Sequence, residues 1–152
     1  MKPLTILASL FLLAVGTAFA LPGDEMTKDE KAVHAAIEDY VLGFYEAAPE
    51  RLERSVSKDL KKMGFWRPDD GEPYVGPAHM NHEQAIALAK EWNADGKRGT
   101  DIPYEIELHE VANKTATGKV VAQWGQDYFQ LAKEDDGKWR IHHVMWQSAP
   151  PE

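Results

Sequence analysis

Residues 115–147, TATGKVVAQWGQDYFQLAKEDDGKWRIHHVMWQ, alternate apolar and polar side chains with a period of two through most of their length. Half-buried strands need that spacing, because successive side chains leave opposite faces of a sheet. One strand of this length would far exceed the usual ~5–6 residues, so the chain must turn back within it. Glu134-Asp135-Asp136-Gly137 supplies one reversal, a polar run ending in a glycine able to take positive φ, and Gly125 marks another. The stretch predicts a meander of consecutive antiparallel strands that carries three of the five tryptophans. Everything upstream must then pack against one face of it.

Upstream the period changes. Thr27 with Glu30 forms a capping box, and Val33, Ile37, Tyr40, Val41 and Phe44 recur at three- and four-residue steps, which predicts a long amphipathic helix. Gly43 inside that helix costs ~1 kcal/mol relative to alanine and points to the close approach of another element. Pro49 suits the first position of a second, short helix over residues 50–56. Residues 60–66 read as a short strand or an irregular segment. Residues 67–77, with three prolines and two glycines, read as a surface excursion that is neither a central strand nor a helix. Asn81 and Gln84 cap a third helix running to about Asn93, and residues 103–111 resume strand alternation. Asn113-Lys114-Thr115 fits a glycosylation sequon and a hairpin turn, and we take the turn.

Residues 1–20 stand apart from the fold. Lys2 provides a positive start, an apolar run follows, and Ala18-Phe19-Ala20 is an A-x-A cleavage site, so a signal peptide is expected with a single mature domain over residues 21–152. An uncleaved anchor is the competing reading, opposed by an apolar run shorter than the ~20 residues of a bilayer span. Export to the periplasm or the extracellular space is therefore expected, with no membrane association after cleavage. The chain has no cysteine, which excludes disulfide scaffolds, Cys-based zinc sites and thiol catalysis. A formal charge of −8 and the lack of a basic stripe argue against nucleic acid as a partner.

Helices gathered on one face of a curved antiparallel sheet make an α+β sandwich. At this point the chain resembles a family. Tyr40-Val41-Leu42-Gly43-Phe44-Tyr45, Pro49 to Arg54, Asp59-Leu60, Asp127-Tyr128, Gly137-Lys138-Trp139-Arg140-Ile141 and Val144-Met145-Trp146 resemble the nuclear transport factor 2-like superfamily. Within it the resemblance is to the putative lumazine-binding group, related to SnoaL-like polyketide cyclase domains. It covers roughly residues 33–146, and only the insert at residues 68–77 departs from the pattern. It implies a cone, with the sheet curled around the long first helix and two further helices beside it, and a cavity at the open end. Some members are isomerases, dehydratases or cyclases, and others bind a ligand or a protein. Related domains also often pair as homodimers through the sheet.

The candidate chemistry is sparse. Asp127 follows a turn: it serves either as a carboxylate accepting backbone N–H bonds or, buried in an apolar cavity, as a base taking a proton next to a carbonyl. His143 shares parity with Ile141 and Met145, so an inward-facing acid or base is expected there, against a histidine simply hydrogen-bonded within the sheet. Tyr40 or Tyr128 would be the hydrogen-bond donor beside either base. Trp66, Trp124, Tyr40 and Met145 are the expected ligand-binding residues, the two tryptophans at the cavity mouth or else covering the core's rim. His142 and His143, adjacent on a strand, point apart, and Asn81 at the helix cap breaks the His79–His82 spacing. Neither pair makes a metal site, both His79 and His82 are read as surface residues, and no cofactor is expected. The two functional expectations are a small-molecule or protein-binding module of unknown ligand and an isomerase-, dehydratase- or cyclase-type enzyme using Asp127 or His143.

Overall fold

The computed structural model describes residues 25–68 and 72–149, so the expected leader at residues 1–20 lies outside it. The elements run α1 (Lys28–Tyr45), α2 (Pro49–Ser55), β1 (Val56–Trp66), β2 (Val75–Met80), α3 (His82–Glu91), β3 (Glu105–Val111), β4 (Thr115–Ala122), β5 (Gly125–Lys133) and β6 (Trp139–Ser148). The six strands form one curved, open sheet in the order β2-β1-β6-β5-β4-β3. Four of its pairings are antiparallel; β1 and β6 run parallel. The three helices cover one face, which completes the expected two-layer α+β architecture.

Both capping boxes form. The Glu30 backbone N–H donates to Thr27 Oγ1 at 3.2 Å while the Thr27 N–H donates to Glu30 Oε2 at 2.7 Å, and Asn81 and Gln84 repeat the exchange at α3. The α1 stripe of Val33, Ile37, Tyr40, Val41 and Phe44 is buried against the sheet, where Val120, Phe129, Leu131, Trp139, Ile141 and Val144 meet it. Each such side chain contributes roughly 1.5–3 kcal/mol through removal from water. Gly43 has the close neighbour it called for: a Cβ there would sit 2.0 Å from Leu52 Cδ1 of α2. The α1 start is pinned to the far end of the sheet by Asp29, which accepts from Lys133 Nζ at 2.8 Å and Trp139 Nε1 at 3.0 Å.

Two readings upstream need correction. Residues 60–66 belong to a regular eleven-residue strand, β1, which starts at Val56. Its alternation is blurred because Val56 and Ser57 are both buried, Lys58 and Asp59 are both exposed, and the β1–β6 register shifts between Val56 and Lys61. The excursion at residues 67–77 ends inside a strand: β2 starts at Val75 and takes Pro77 after a cis peptide bond. Proline fits there because β2 is an edge strand, where a missing donor breaks no second ladder. The excursion is tied to the end of β6, with the Arg67 N–H donating to Ser148 Oγ at 3.2 Å and Tyr74 Oη to the Ser148 carbonyl at 3.1 Å. Among the described residues no helix is long and apolar enough to cross a membrane.

Candidate functional site

Two strands and one helix each send a polar group into the apolar interior. Tyr40 comes from the sheet-facing stripe of α1, Lys62 from β1 and Asp127 from β5, and they are 0%, 7% and 0% exposed. Tyr40 Oη donates to Asp127 Oδ2 at 2.7 Å, and Lys62 Nζ reaches the same oxygen at 3.2 Å. Lys62 also donates to Tyr40 Oη, which closes a three-membered ring of contacts. The other carboxylate oxygen, Asp127 Oδ1, accepts from Trp124 Nε1 at 2.7 Å across the β4–β5 turn. Burial first, then the negative charge of Asp127 and the hydrogen bond donated to it, push the Tyr40 hydroxyl well above its ordinary range. Tyr40 is therefore a fixed neutral group, donor to the carboxylate and acceptor from the ammonium.

The surroundings are aromatic. Lys62 Nζ lies 5.1, 5.5 and 5.4 Å from the ring centroids of Tyr40, Phe44 and Trp146, inside cation–π range. Trp146 reaches that place because β1 has no side chain opposite it. A Cβ on Gly64 would come within 2.4 Å of the Trp146 ring. Trp92 at the end of α3 and Trp124 meet edge to face with centroids 5.4 Å apart, and Phe44 packs on both. Phe44, Lys62, Met80, Leu88, Trp92, Trp124 and Trp146 line a cavity of about 110 Å³. Lys62 is its charged lining group, and the Asp127 ring of contacts stands behind it.

A second, larger concavity of about 880 Å³ opens on the outer side of the sheet and reaches the start of α3, where Asn81 and Gln84 line it. Lys61, His79, His109, Tyr128, Gln130, His143 and Met145 line it, one or more from each strand except β4, which adds Thr117 and Gly118. Tyr128 and Met145 are 45% and 53% exposed there.

The candidate residues thus divide between the two faces. Asp127, Tyr40 and Trp124 come together in the interior. Tyr128 cannot join them, since it is the strand neighbour of Asp127 and points the opposite way; its hydroxyl donates to Gln126 Oε1 at 3.4 Å. His143 and Met145 were expected inward with Ile141 and face outward. The cause is a β-bulge: Gln130 pairs with His143 but Leu131 pairs with Ile141, so His142 is an extra residue and the parity of β6 flips there. His143 Nδ1 lies 2.9 Å from Gln130 Oε1 on the outer face. Trp66, expected at the cavity mouth, is 42% exposed at the end of β1. The β1–β2 register shifts between Gly64 and Trp66, which takes the tryptophan off the inward parity.

His82, read as a surface residue, is 7% exposed, with Nε2 3.3 Å from Lys58 Nζ. Burial, and then the nearby Lys58 charge, lower its pKa. Sequence reasoning missed Lys62, Trp92 and Trp146 as site residues. For Lys62 a signal was available: it shares parity with Leu60 and Gly64, the buried side of β1. Among the described residues no group of three histidine, aspartate or glutamate side chains is placed to hold a metal.

Comparison with known proteins agrees with this fold. A family model described as putative lumazine-binding matches residues 28–147. No curated protein matches the chain. Among solved structures, an NTF-2-like protein of unknown function from Silicibacter pomeroyi is 21% identical with a TM-score of 0.61, over 81% of this chain and 99% of that one. A ketosteroid isomerase-like protein from Erwinia carotovora atroseptica is 18% identical with a TM-score of 0.56, over 83% and 100%. An NTF2-like protein with a cystatin-like fold from Novosphingobium aromaticivorans is 14% identical with a TM-score of 0.55, over 79% and 81%. At these identities the likeness is one of fold.

Proposed function

The chain belongs to the putative lumazine-binding family of nuclear transport factor 2-like domains, and from that membership we propose that it is an exported module that binds a small molecule in the inner cavity. The observation that carries this reading is the Lys62–Tyr40–Asp127 cluster at the wall of an aromatic cavity. A buried ion pair adds little or nothing to stability over apolar residues of the same volume, so its position at a cavity wall favours a ligand-facing role. Apolar walls with one well-placed polar group are the usual make-up of a small-molecule site. Export rests on the leader-like residues 1–20, and detection of a mature chain starting at Leu21 outside the cytoplasm tests it.

The binding test uses tryptophan fluorescence. Ligands found by native mass spectrometry should quench the emission of Trp92, Trp124 and Trp146, and Trp124→Ala should weaken binding at least tenfold without unfolding the protein. Unchanged affinity in folded Trp124→Ala would sink the reading. The outer face supports a homodimer through the sheet, since Tyr128 and Met145 present exposed apolar surface across a broad concavity. Light scattering of Met145→Glu should then report a monomer, and a parent protein that is already monomeric would remove the dimer.

A second reading, an isomerase-type enzyme, has one observation in its favour: Asp127 and Tyr40 converge at 2.7 Å in the interior. Against it, Tyr40, Lys62 and Trp124 fill three of the roughly four lone-pair positions of that carboxylate. Catalysed exchange of deuterium next to the carbonyl of a bound ketone, lost in Asp127→Asn, would establish the enzyme. No exchange above the uncatalysed rate leaves the binding module.

A further inference from the structure

We propose that the inner cavity selects a small neutral ring carrying one carbonyl-type acceptor, held by the Lys62 ammonium, and rejects carboxylates and amines of the same size. The inference rests on the binding reading above and names its ligand class.

Size comes first. A cavity of about 110 Å³ is below the ~150 Å³ apolar cavity that accommodates benzene, so it admits one five- or six-membered ring at most. Polarity follows from the lining. Phe44, Met80, Leu88, Trp92, Trp124 and Trp146 offer mainly apolar surface, and Lys62 offers the charged donor. An ammonium has three N–H groups. Two go to Tyr40 Oη and Asp127 Oδ2, while Nζ stands over the faces of Phe44 and Trp146 on the cavity side. Among the described residues the remaining N–H meets only ring faces, and a ligand oxygen would replace that contact with a charge-assisted hydrogen bond. One acceptor on an otherwise apolar ligand matches one donor in an otherwise apolar wall.

Charge decides the rest. Lys62 and Asp127 cancel, and the burial that keeps Tyr40 protonated leaves the cluster neutral. A carboxylate ligand would leave one uncompensated negative charge against aromatic walls, where an unpaired ion is penalised. An ammonium ligand would face Lys62 itself, which already occupies the ring faces that a cation would seek. A neutral acceptor meets neither penalty.

The test is a fluorescence or NMR titration with cyclohexanone, cyclohexanecarboxylate, cyclohexylamine and benzene. Cyclohexanone should bind at least tenfold tighter than each of the other three. Lys62→Met alone leaves Asp127 buried without a counter-charge, so the informative variant is the double change Lys62→Met with Asp127→Asn, which keeps the cluster neutral. With folding verified by circular dichroism, that variant should lose the preference for cyclohexanone over benzene. Carboxylate binding within threefold of the ketone would overturn the proposal, as would an unchanged ketone preference in the folded double variant. Should none of the four probes bind while other ligands still quench Trp124, this inference fails and the binding reading stands; should nothing quench Trp124, both fail.

Discussion

Asp127 and Tyr128 are neighbours on β5, yet one is fully buried in a ring of charged contacts and the other is 45% exposed among histidines and a methionine. The same six strands build both environments. The inner face is apolar and aromatic, and its polar groups Tyr40, Lys62 and Asp127 are held by one another and by Trp124. The outer face is broad and open, with polar side chains paired in short local contacts such as Lys119 with Glu107 and His143 with Gln130. The difference teaches that function on this sheet is assigned by parity. Where parity is broken by a bulge, a residue changes face without any change in its chemistry.

The sharpest way to break this contrast is to remove one side of the buried pair. Asp127→Ala leaves the Lys62 ammonium without its counter-charge and should cost about 3–5 kcal/mol by denaturant titration. Tyr128→Ala should fall within about 0.5 kcal/mol of the parent monomer. Equal losses for the two would mean that the faces do not differ in the way described. The β6 bulge is tested by a second pair. Ile141→Ala, on the inner side before the bulge, should lose about 2–5 kcal/mol, whereas Met145→Ala, after it, should lose less than about 1. A large loss at Met145 in the monomer would show that the alternation runs on unbroken.

The smallest effect concerns pH. His82 has a lowered folded-state pKa, so the unfolded chain takes up the proton more readily than the folded one. Its contribution is therefore complete above the ordinary imidazole value of about 6.5 and is lost as the pH falls below it. Urea midpoints measured from about pH 7 down to about pH 5 should decline less steeply in His82→Gln than in the parent. An identical slope would mean that His82 titrates alike in both states.

Much of the architecture was legible because local signals agreed with one another. Both capping boxes, the α1 stripe, the turns at Gly125 and Gly137 and the alternation of β3, β4 and β5 all place side chains where the structure has them. The site was half legible. Tyr40 lies on the α1 stripe that periodicity finds, and Asp127 and Trp124 stand out by their places at the β4–β5 turn, but the meeting of Tyr40 with Asp127 is a contact across 87 residues that no local pattern encodes. Lys62 was passed over because lysine is almost never buried unless it is paired, and its pair is far away in sequence. His143 and Met145 were misplaced because a bulge inserts one residue without altering the apolar–polar spelling on either side.

The parallel pairing of β1 with β6 has a consequence for how the chain comes together. The β1–β2 hairpin and the β3–β6 meander are each antiparallel blocks built from local turns, and β6 is the seam that joins them. That seam is formed by the last strand of the sheet, which must bond to β5 on one side and reach back some eighty residues to β1 on the other. Contacts of such long sequence separation are slow to close. During synthesis the β1–β2 and β3–β5 blocks can form early but stay unjoined, and the buried cluster that spans β1 and β5 is not closed until β6 has been made.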